Sequence, residues 1–471
     1  MAHNPVFMPV RRLAELVRSR QVSPVELAQL FLRRLEMLGP RYNAVVTLTR
    51  ERAMEQARRA EREIAEGKYR GPLHGIPYGL KDLFATRGIK TTWGAERYKD
   101  QTPDYDATLV RRLEEAGAVL VAKLAMVELA GGFKYIQPNN AFTGPGLNPW
   151  DISTQSGGSS SGSGAAVAAG LVPFAIGTET WGSIVMPANN CGIAGLRPTY
   201  GRVSRHGAMP LSWTLDKPGP MCQTADDCGL VLNAIAGHDP QDPATTERIY
   251  EYDGEDWGEH TPGRRFRLAV PKDAAAEADD TVKSRFDKAL KTLSGFCEID
   301  EVPFPDYPYG AVTLGVFMAE SASIWEEFID NGYGETLTAP ESRNYVYPRM
   351  AMLATDYLKA VRLRTIIARE ADRVMAPYDA VVAPTCMIPA PPVAPKPKQS
   401  LKERSKEIVG ALGNLAGLPA ISVPMGFSDG MLPVGIQFMG RAYDDNAVIA
   451  VARAYQSVTD WHTRHPADVM G

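Results

Sequence analysis

GGSSSGSGAAVAAGLVPFAIGTETWGS, residues Gly157 to Ser183, is the stretch on which the fold turns. It holds a polar Gly/Ser turn, a helix made almost wholly of small residues, a short apolar strand and a second turn containing glycine. Gly and Ser inside an element give up chain entropy without returning apolar burial, so a run with five serines points to a close backbone approach or to chemistry. A flexible linker is the bland alternative, and the strand-like apolar segments around the run argue against it. Residues 163–170 have almost no bulk, which suits a helix packed tightly on another backbone in a core. VPFAIGT then reads as a central strand, and ETWGSIVMP as the turn after it. That places Ser183 and the N–H groups of Thr180, Trp181 and Gly182 at the carboxyl end of a strand, where open α/β sheets present ligands.

Upstream of this stretch the same helix–strand rhythm recurs. Ser23-Pro24 with Glu26 predicts a capped helix through VELAQLFLRRLEML, residues 50–66 a charged amphipathic helix, and AVLVAKLAM a buried strand after a helix ending at Gly117. Between them GIPYGLKD sets Lys81 in apolar surroundings. A lysine desolvated there becomes neutral near pH 7 and can accept a proton, although taken alone Lys81 reads as the ion-pair partner of Asp82. Downstream, RLAVPKD, CEIDEV, YDAVVAPT, PAISVPMGF and LPVGIQFMG read as strands, with helices over 279–293, 311–330, 341–376 and near the C-terminus. The expectation is an α/β protein with a single large mixed central β-sheet covered by helices on both faces. Residues 1–70 form an N-terminal helical segment packed on the core of a catalytic domain spanning 71–471. Residues 311–376 and 386–412 contribute its pocket regions.

Composition excludes several classes. Hydrophobic residues at 44% and charged residues at 23% describe a globular protein, and a formal charge of -4 argues against broad electrostatic binding of nucleic acid. There is no apolar run of membrane length and no signal-peptide pattern, so a cytoplasmic location is expected, and five cysteines without C-x-x-C spacing agree with it. Nucleotide-loop and zinc-protease motifs are missing, so no cofactor and no metal is expected. Gly158 to Gly162 fits G-x-S-x-G, but a nucleophile elbow needs a strand before it, and the polar DISTQ does not read as one. A serine and an uncharged lysine can nevertheless carry acyl transfer without histidine, with a second hydroxyl bridging them.

At this point the chain resembles the amidase signature family of Ser-cisSer-Lys hydrolases. The resemblance runs from about residue 10 to 465 and is carried by GIPYGLKD (75–82), GGSSSGSGAAVAAG (157–170), GTETWGSIVMPANNCGIAGLRPTYGRVSRHG (177–207), and GNLAGLPAISVP with LPVGIQFMG (413–440). It implies that Ser183 is the nucleophile and Lys81 the general base, relayed by Ser159 after a cis bond from Gly158. It also implies an oxyanion hole made by the N–H groups of Thr180, Trp181 and Gly182. Ser160 would support Lys81, and Glu179 would hold the turn. Three positions depart from the family pattern: Ser161 and Trp181 replace glycines, and Val185 replaces an arginine, which removes an anchor of the acidic turn. The main expectation is an amidase for small or moderately bulky apolar amides, anilides, esters or carbamates. It would have no nucleic-acid or membrane partner and would be a monomer or homodimer. The alternatives are the amidase subunit of a glutamine-dependent tRNA amidotransferase, and a catalytically silent binding protein on the same fold.

Overall fold

Eleven strands in the order β1-β3-β2-β6-β8-β7-β12-β13-β11-β9-β10 make one continuous mixed sheet in the computed structural model. The structure describes residues 5–133, 135–252, 254, 265–394 and 408–469. The first half runs α1 (Val10–Arg18), α2 (Pro24–Leu38), β1 (Val45–Leu48), α3 (Arg50–Ala65), β2 (Pro77–Lys81), α4 (Thr108–Glu115) and β3 (Val119–Leu124). A separate two-stranded sheet, β4 (Leu147–Asn148) with β5 (Asp151–Gln155), leads into α5 (Ser161–Ala168) and β6 (Phe174–Glu179). Then come α6 (Val185–Cys191), β7 (Ala194–Arg197), β8 (Lys217–Cys222) and α7 (Ala225–Ile235). The second half adds β9 (Phe266–Pro271), α8 (Asp280–Leu293), β10 (Cys297–Val302), α9 (Tyr309–Ile324), α10 (Glu326–Asp330), α11 (Pro340–Tyr345) and α12 (Ala354–Met375). It closes with β11 (Ala380–Pro384), α13 (Gly413–Leu415), β12 (Ala420–Phe427), β13 (Pro433–Met439) and α14 (Asp445–Ser457).

Strands β2, β3 and β6 run parallel, as do β9, β10 and β11, while β8, β7, β12 and β13 join the two groups through antiparallel pairs. Strands β2 and β3 are buried along their length, and β6 at every position but the half-buried Thr178, as helix cover on both faces requires. Ser23 caps α2 as its sequence foretells, accepting from the N–H groups of Val25 and Glu26. Residues 1–70 contribute α1–α3 and also β1, which pairs antiparallel with β3 at the end of the sheet.

The small-residue helix α5 is wholly buried. A Cβ on Gly162 would stand 2.5 Å from the amide nitrogen of Ala125 and 2.5 Å from the carbonyl of Ala44, so two backbones meet there and only glycine fits. Three readings need correction. DISTQ is a strand, β5, although it pairs with β4 and, through an antiparallel bridge from Thr154, with Pro392, and stays outside the main sheet. The segment after Ser183 is the helix α6, hidden in the sequence by Pro187, which breaks the expected helical pattern. The two long helices of 311–330 and 341–376 are broken into α9–α12, and of their aromatics Trp325 and Phe328 are buried while Tyr345 and Tyr347 face solvent. The expected pocket loop 386–412 lies partly outside the described residues, at 395–407.

Candidate active site

Four neighbouring strands deliver their functional residues to one end of the sheet. Lys81 ends β2, Thr178 and Glu179 end β6, Lys217 begins the antiparallel β8, and Arg197 ends β7. Lys81 is fully buried, and its Nζ lies 2.8 Å from Ser159 Oγ, 2.9 Å from Ser160 Oγ and 2.9 Å from Thr178 Oγ1. Burial pushes the amine down to about 7, against the pull of Asp216 and Glu179. Charged, it donates to all three hydroxyls; neutral, it donates to two and accepts from the third. The cluster is therefore built to hold the amine in either state.

Asp82 is not the partner of Lys81. Consecutive residues leaving a strand point to opposite sides, and Asp82 turns instead to Lys123, 3.2 Å away, with both side chains fully buried. Thr92 also donates to Asp82 from its backbone N–H and its hydroxyl.

The Gly158–Ser159 peptide bond is cis. Ser183 is 8% exposed, and its carbonyl accepts the N–H of Ser160 at 3.3 Å, which ties the second turn to the serine run. Gly182 adopts a φ of +84°, whereas Trp181 is not among the residues with positive φ. The turn therefore needs glycine at 182 but accepts a side chain at 181. Trp181 packs half-buried against the cluster that holds Leu215, Val316, Leu412 and Leu415. Among the described residues, the N–H groups of Thr180, Trp181, Gly182 and Ser183 donate to no protein acceptor. Successive free donors at a tight turn form a concavity for a negative oxygen.

Carboxylates clamp both ends of this turn. Glu179 Oε2 accepts the N–H groups of Ile184 and Val185 at 2.9 and 3.1 Å. Glu179 Oε1 meets Arg197 at 2.8 Å and the Asn414 amide at 3.0 Å. Burial works against its charge, but Arg197 and these hydrogen bonds hold it down to about 2. At the other end Asp216 accepts the Thr180 hydroxyl at 2.6 Å. Val185 thus leaves no unanchored acid: Arg197, twelve residues further on, supplies the cation. Thr178, Arg197, Asp216 and Asn414 escaped the sequence reading. Thr178 alone carried a signal, since it lies on the strand beside Glu179, while the others are brought in by chain folding. A cavity of about 550 Å³ opens beside the cluster, lined among others by Thr178, Thr180, Met209, Trp213, Thr214 and Asp216.

A buried amine in contact with hydroxyls, beside a serine-bearing turn of free N–H groups, defines a serine hydrolase that works without histidine. The family model described as Amidase matches residues 26–449, and the chain belongs to the amidase signature family. It is an enzyme, an amidase. It is 35% identical over 485 residues to a Glutamyl-tRNA(Gln) amidotransferase subunit of Carboxydothermus hydrogenoformans, covering 98% of this chain and 99% of the relative. Among solved structures it matches the peptide amidase of Stenotrophomonas maltophilia, with 30% identity, a TM-score of 0.84 and coverage of 98% and 99%. It also matches the corresponding Glutamyl-tRNA(Gln) amidotransferase subunit of Thermotoga maritima, with 30% identity, a TM-score of 0.76 and coverage of 96% and 95%.

These relatives correct the expected partners. A free small molecule with no nucleic acid in play is not what a full-length likeness to tRNA amidotransferase subunits supports. The charge of -4 averages the whole surface: it reports on attraction to a polyanion and does not speak to assembly with other subunits. Among the described residues no helix is long and apolar enough to cross a membrane.

Proposed function

We propose that the chain is the amide-cleaving subunit of a glutamine-dependent tRNA amidotransferase, releasing ammonia from glutamine through an acyl-enzyme on Ser183. What carries this reading is the likeness to a subunit of such an enzyme along 98% of the chain and 99% of the relative. Neutral Lys81 takes a proton from Ser159 as Ser159 takes that of Ser183, and the Ser183 oxygen attacks the side-chain carbonyl carbon of glutamine. The oxygen of the tetrahedral intermediate is held by the N–H groups of Thr180, Trp181 and Gly182. Each such donor contributes about 3 kcal/mol in enzymes of this kind. The C–N bond breaks as the proton returns from Lys81 through Ser159 to nitrogen, and ammonia leaves. Water then repeats the sequence on the ester, giving glutamate and free Ser183. Residues 71–471 carry this chemistry, braced by 1–70, in a protein of the cytoplasm.

A glutamine site needs a cation for the α-carboxylate, and Arg364 on α12 is the group assigned to it. It is partly buried, and it donates to Thr214 Oγ1 at 2.6 Å and to the Thr214 carbonyl at 2.9 Å beside the cavity. Those bonds use two of its five N–H donors. The test is glutamine hydrolysis by the purified chain and by its complex with partner subunits. Ammonia release that falls at least tenfold, mainly through a raised KM, in Arg364→Ala is expected. Turnover of peptide amides with no glutamine turnover in either preparation would overturn the assignment.

A further inference from the structure

One wall of the cavity beside Lys81 is a turn that the chemistry above leaves unexplained. After β3 the chain passes through Leu129, Ala130 and Gly131, whose φ values are +45°, +56° and +73°. Two successive residues with side chains stay in the left-handed region only where their surroundings hold them there. Ala130 lines the cavity, and a Cβ on Gly132 would stand 2.5 Å from Cδ1 of Leu211, another lining residue. The turn therefore packs against the segment that leads to Asp216.

Its two ends are held differently. The near end is tied to the sheet and to the serine run, since the Ala125 N–H donates to the Ala44 carbonyl at 2.9 Å and the Val127 N–H to the Ser159 carbonyl at 3.0 Å. Farther on, the N–H groups of Glu128 and Leu129 donate to the carbonyls of Asn139 and Trp93 at 2.8 and 3.0 Å. The remaining tie is the Glu128 side chain. It is buried, and its Oε2 alone accepts both the Thr338 N–H at 2.8 Å and the Thr338 hydroxyl at 2.7 Å. Oε1 is buried as well and meets no donor among the described residues. Thr338 lies 210 residues further along the chain, between α10 and α11, and its neighbour Leu337 is buried in the same cluster as Leu129, Ala130 and Phe133. An apolar side chain at 128 would avoid burying an unsatisfied oxygen, so what the acid adds is the pair of hydrogen bonds to Thr338.

We propose that Glu128 is a positioning residue that sets the width of the cavity: through Thr338 it fixes the turn carrying Ala130, and so decides how bulky a group reaches Ser183. The inference rests on the role given to Ser183 and is independent of which amide is cleaved.

The experiment follows labelling of Ser183 by a short-chain and a long-chain alkyl fluorophosphonate, each over a range of concentrations that separates the binding constant from the limiting rate. Wild type, Glu128→Leu, Glu128→Gln and Thr338→Val are compared, with thermal melts beside each. Glu128→Leu is expected to weaken binding of the short-chain probe about tenfold and to leave the limiting rate within about threefold of wild type, because Ser159 keeps its tie to Val127. Its preference should shift toward the long-chain probe by at least about fivefold. Glu128→Gln keeps an acceptor oxygen for Thr338 and should match wild type, while Thr338→Val keeps only the N–H and should fall between. A lowered melting temperature with no change in binding or preference would mean a structural role alone and would overturn the proposal. So would a fall in the limiting rate alone, or a Glu128→Gln as impaired as Glu128→Leu. If Glu128→Leu does not fold, Thr338→Val decides: short-chain binding weakened at least about threefold supports the proposal, and unchanged binding overturns it. Failure of wild type to label would instead remove the role of Ser183, so the two failures are distinguishable.

Discussion

Lys81 has three hydroxyl partners and no carboxylate within hydrogen-bond reach among the described residues, which is an unusual environment for a lysine. With burial holding its amine to about 7, the neutral base fraction grows as pH rises through that value. The rate of Ser183 acylation should therefore climb about tenfold per unit below pH 7 and level off above it, measured with an activated ester or a fluorophosphonate. The three hydroxyls should not be equivalent. Ser159→Ala removes the proton relay and should lower acylation by about 10³. Thr178→Val removes only a support of the amine, so a loss of about 3- to 10-fold is expected. At Trp181 the backbone φ suits any residue, so Trp181→Gly should keep the donors and acylation within about tenfold of wild type while changing the KM for bulky amides. Loss of all labelling in Trp181→Gly would show that the indole, and not the main chain, shapes the turn.

The turn after β6 is held by charges whose pairing depends on pH. Glu179 is held at about 2, below its ordinary 4.5. Its pairing stabilises the fold fully above about pH 4.5, and that stability is lost as pH falls toward 2. Removing the carboxylate leaves Arg197 buried without its partner, so Glu179→Gln should destabilise by about 3–5 kcal/mol in urea unfolding. Unfolding free energies within about 1 kcal/mol of wild type would show that the pair is dispensable. In α5, Gly162→Ala drives a methyl onto two backbones and should cost at least 1–3 kcal/mol, roughly the range of core overpacking. Much at this scale was legible beforehand. The Ser23 cap, the small-residue helix and the turn bearing Ser183 all follow from local residue types, and Pro187 concealed α6 because its usual effect is to end a helix. The Arg197–Glu179 and Asp216–Thr180 contacts were not legible, because they join different strands and loops and depend on sheet order.

Sheet order decides how the whole molecule works. β2, β6, β8 and β7 are neighbours in space although the chain visits them as 2, 6, 7 and 8, and this brings Lys81, Glu179, Lys217 and Arg197 to one end. Hydrophobic patterning announces buried strands but says nothing of which strand lies beside which. Ser183 and Lys81 stand out from strand position and apolar surroundings, whereas the relay role of Ser159 could be named only because the motifs resemble those of a family with a known arrangement. Surface charge is a weaker guide, since a net charge of -4 bears on attraction to a polyanion and does not say whether other subunits bind. If the chain works within such an assembly, glutamine hydrolysis should rise when partner subunits and glutamate-charged tRNA are added, and an unchanged rate would argue for an amidase complete in one chain.

The row formed by Lys81, Ser159 and the turn of Ser183 is tested most directly by intact-mass and peptide mapping after fluorophosphonate treatment at about pH 8. One adduct on Ser183 in wild type is expected, with no adduct in folded Ser183→Ala and at least a hundredfold slower labelling in Lys81→Met. Labelling of another serine, or of Lys81→Met at the wild-type rate, would contradict the account.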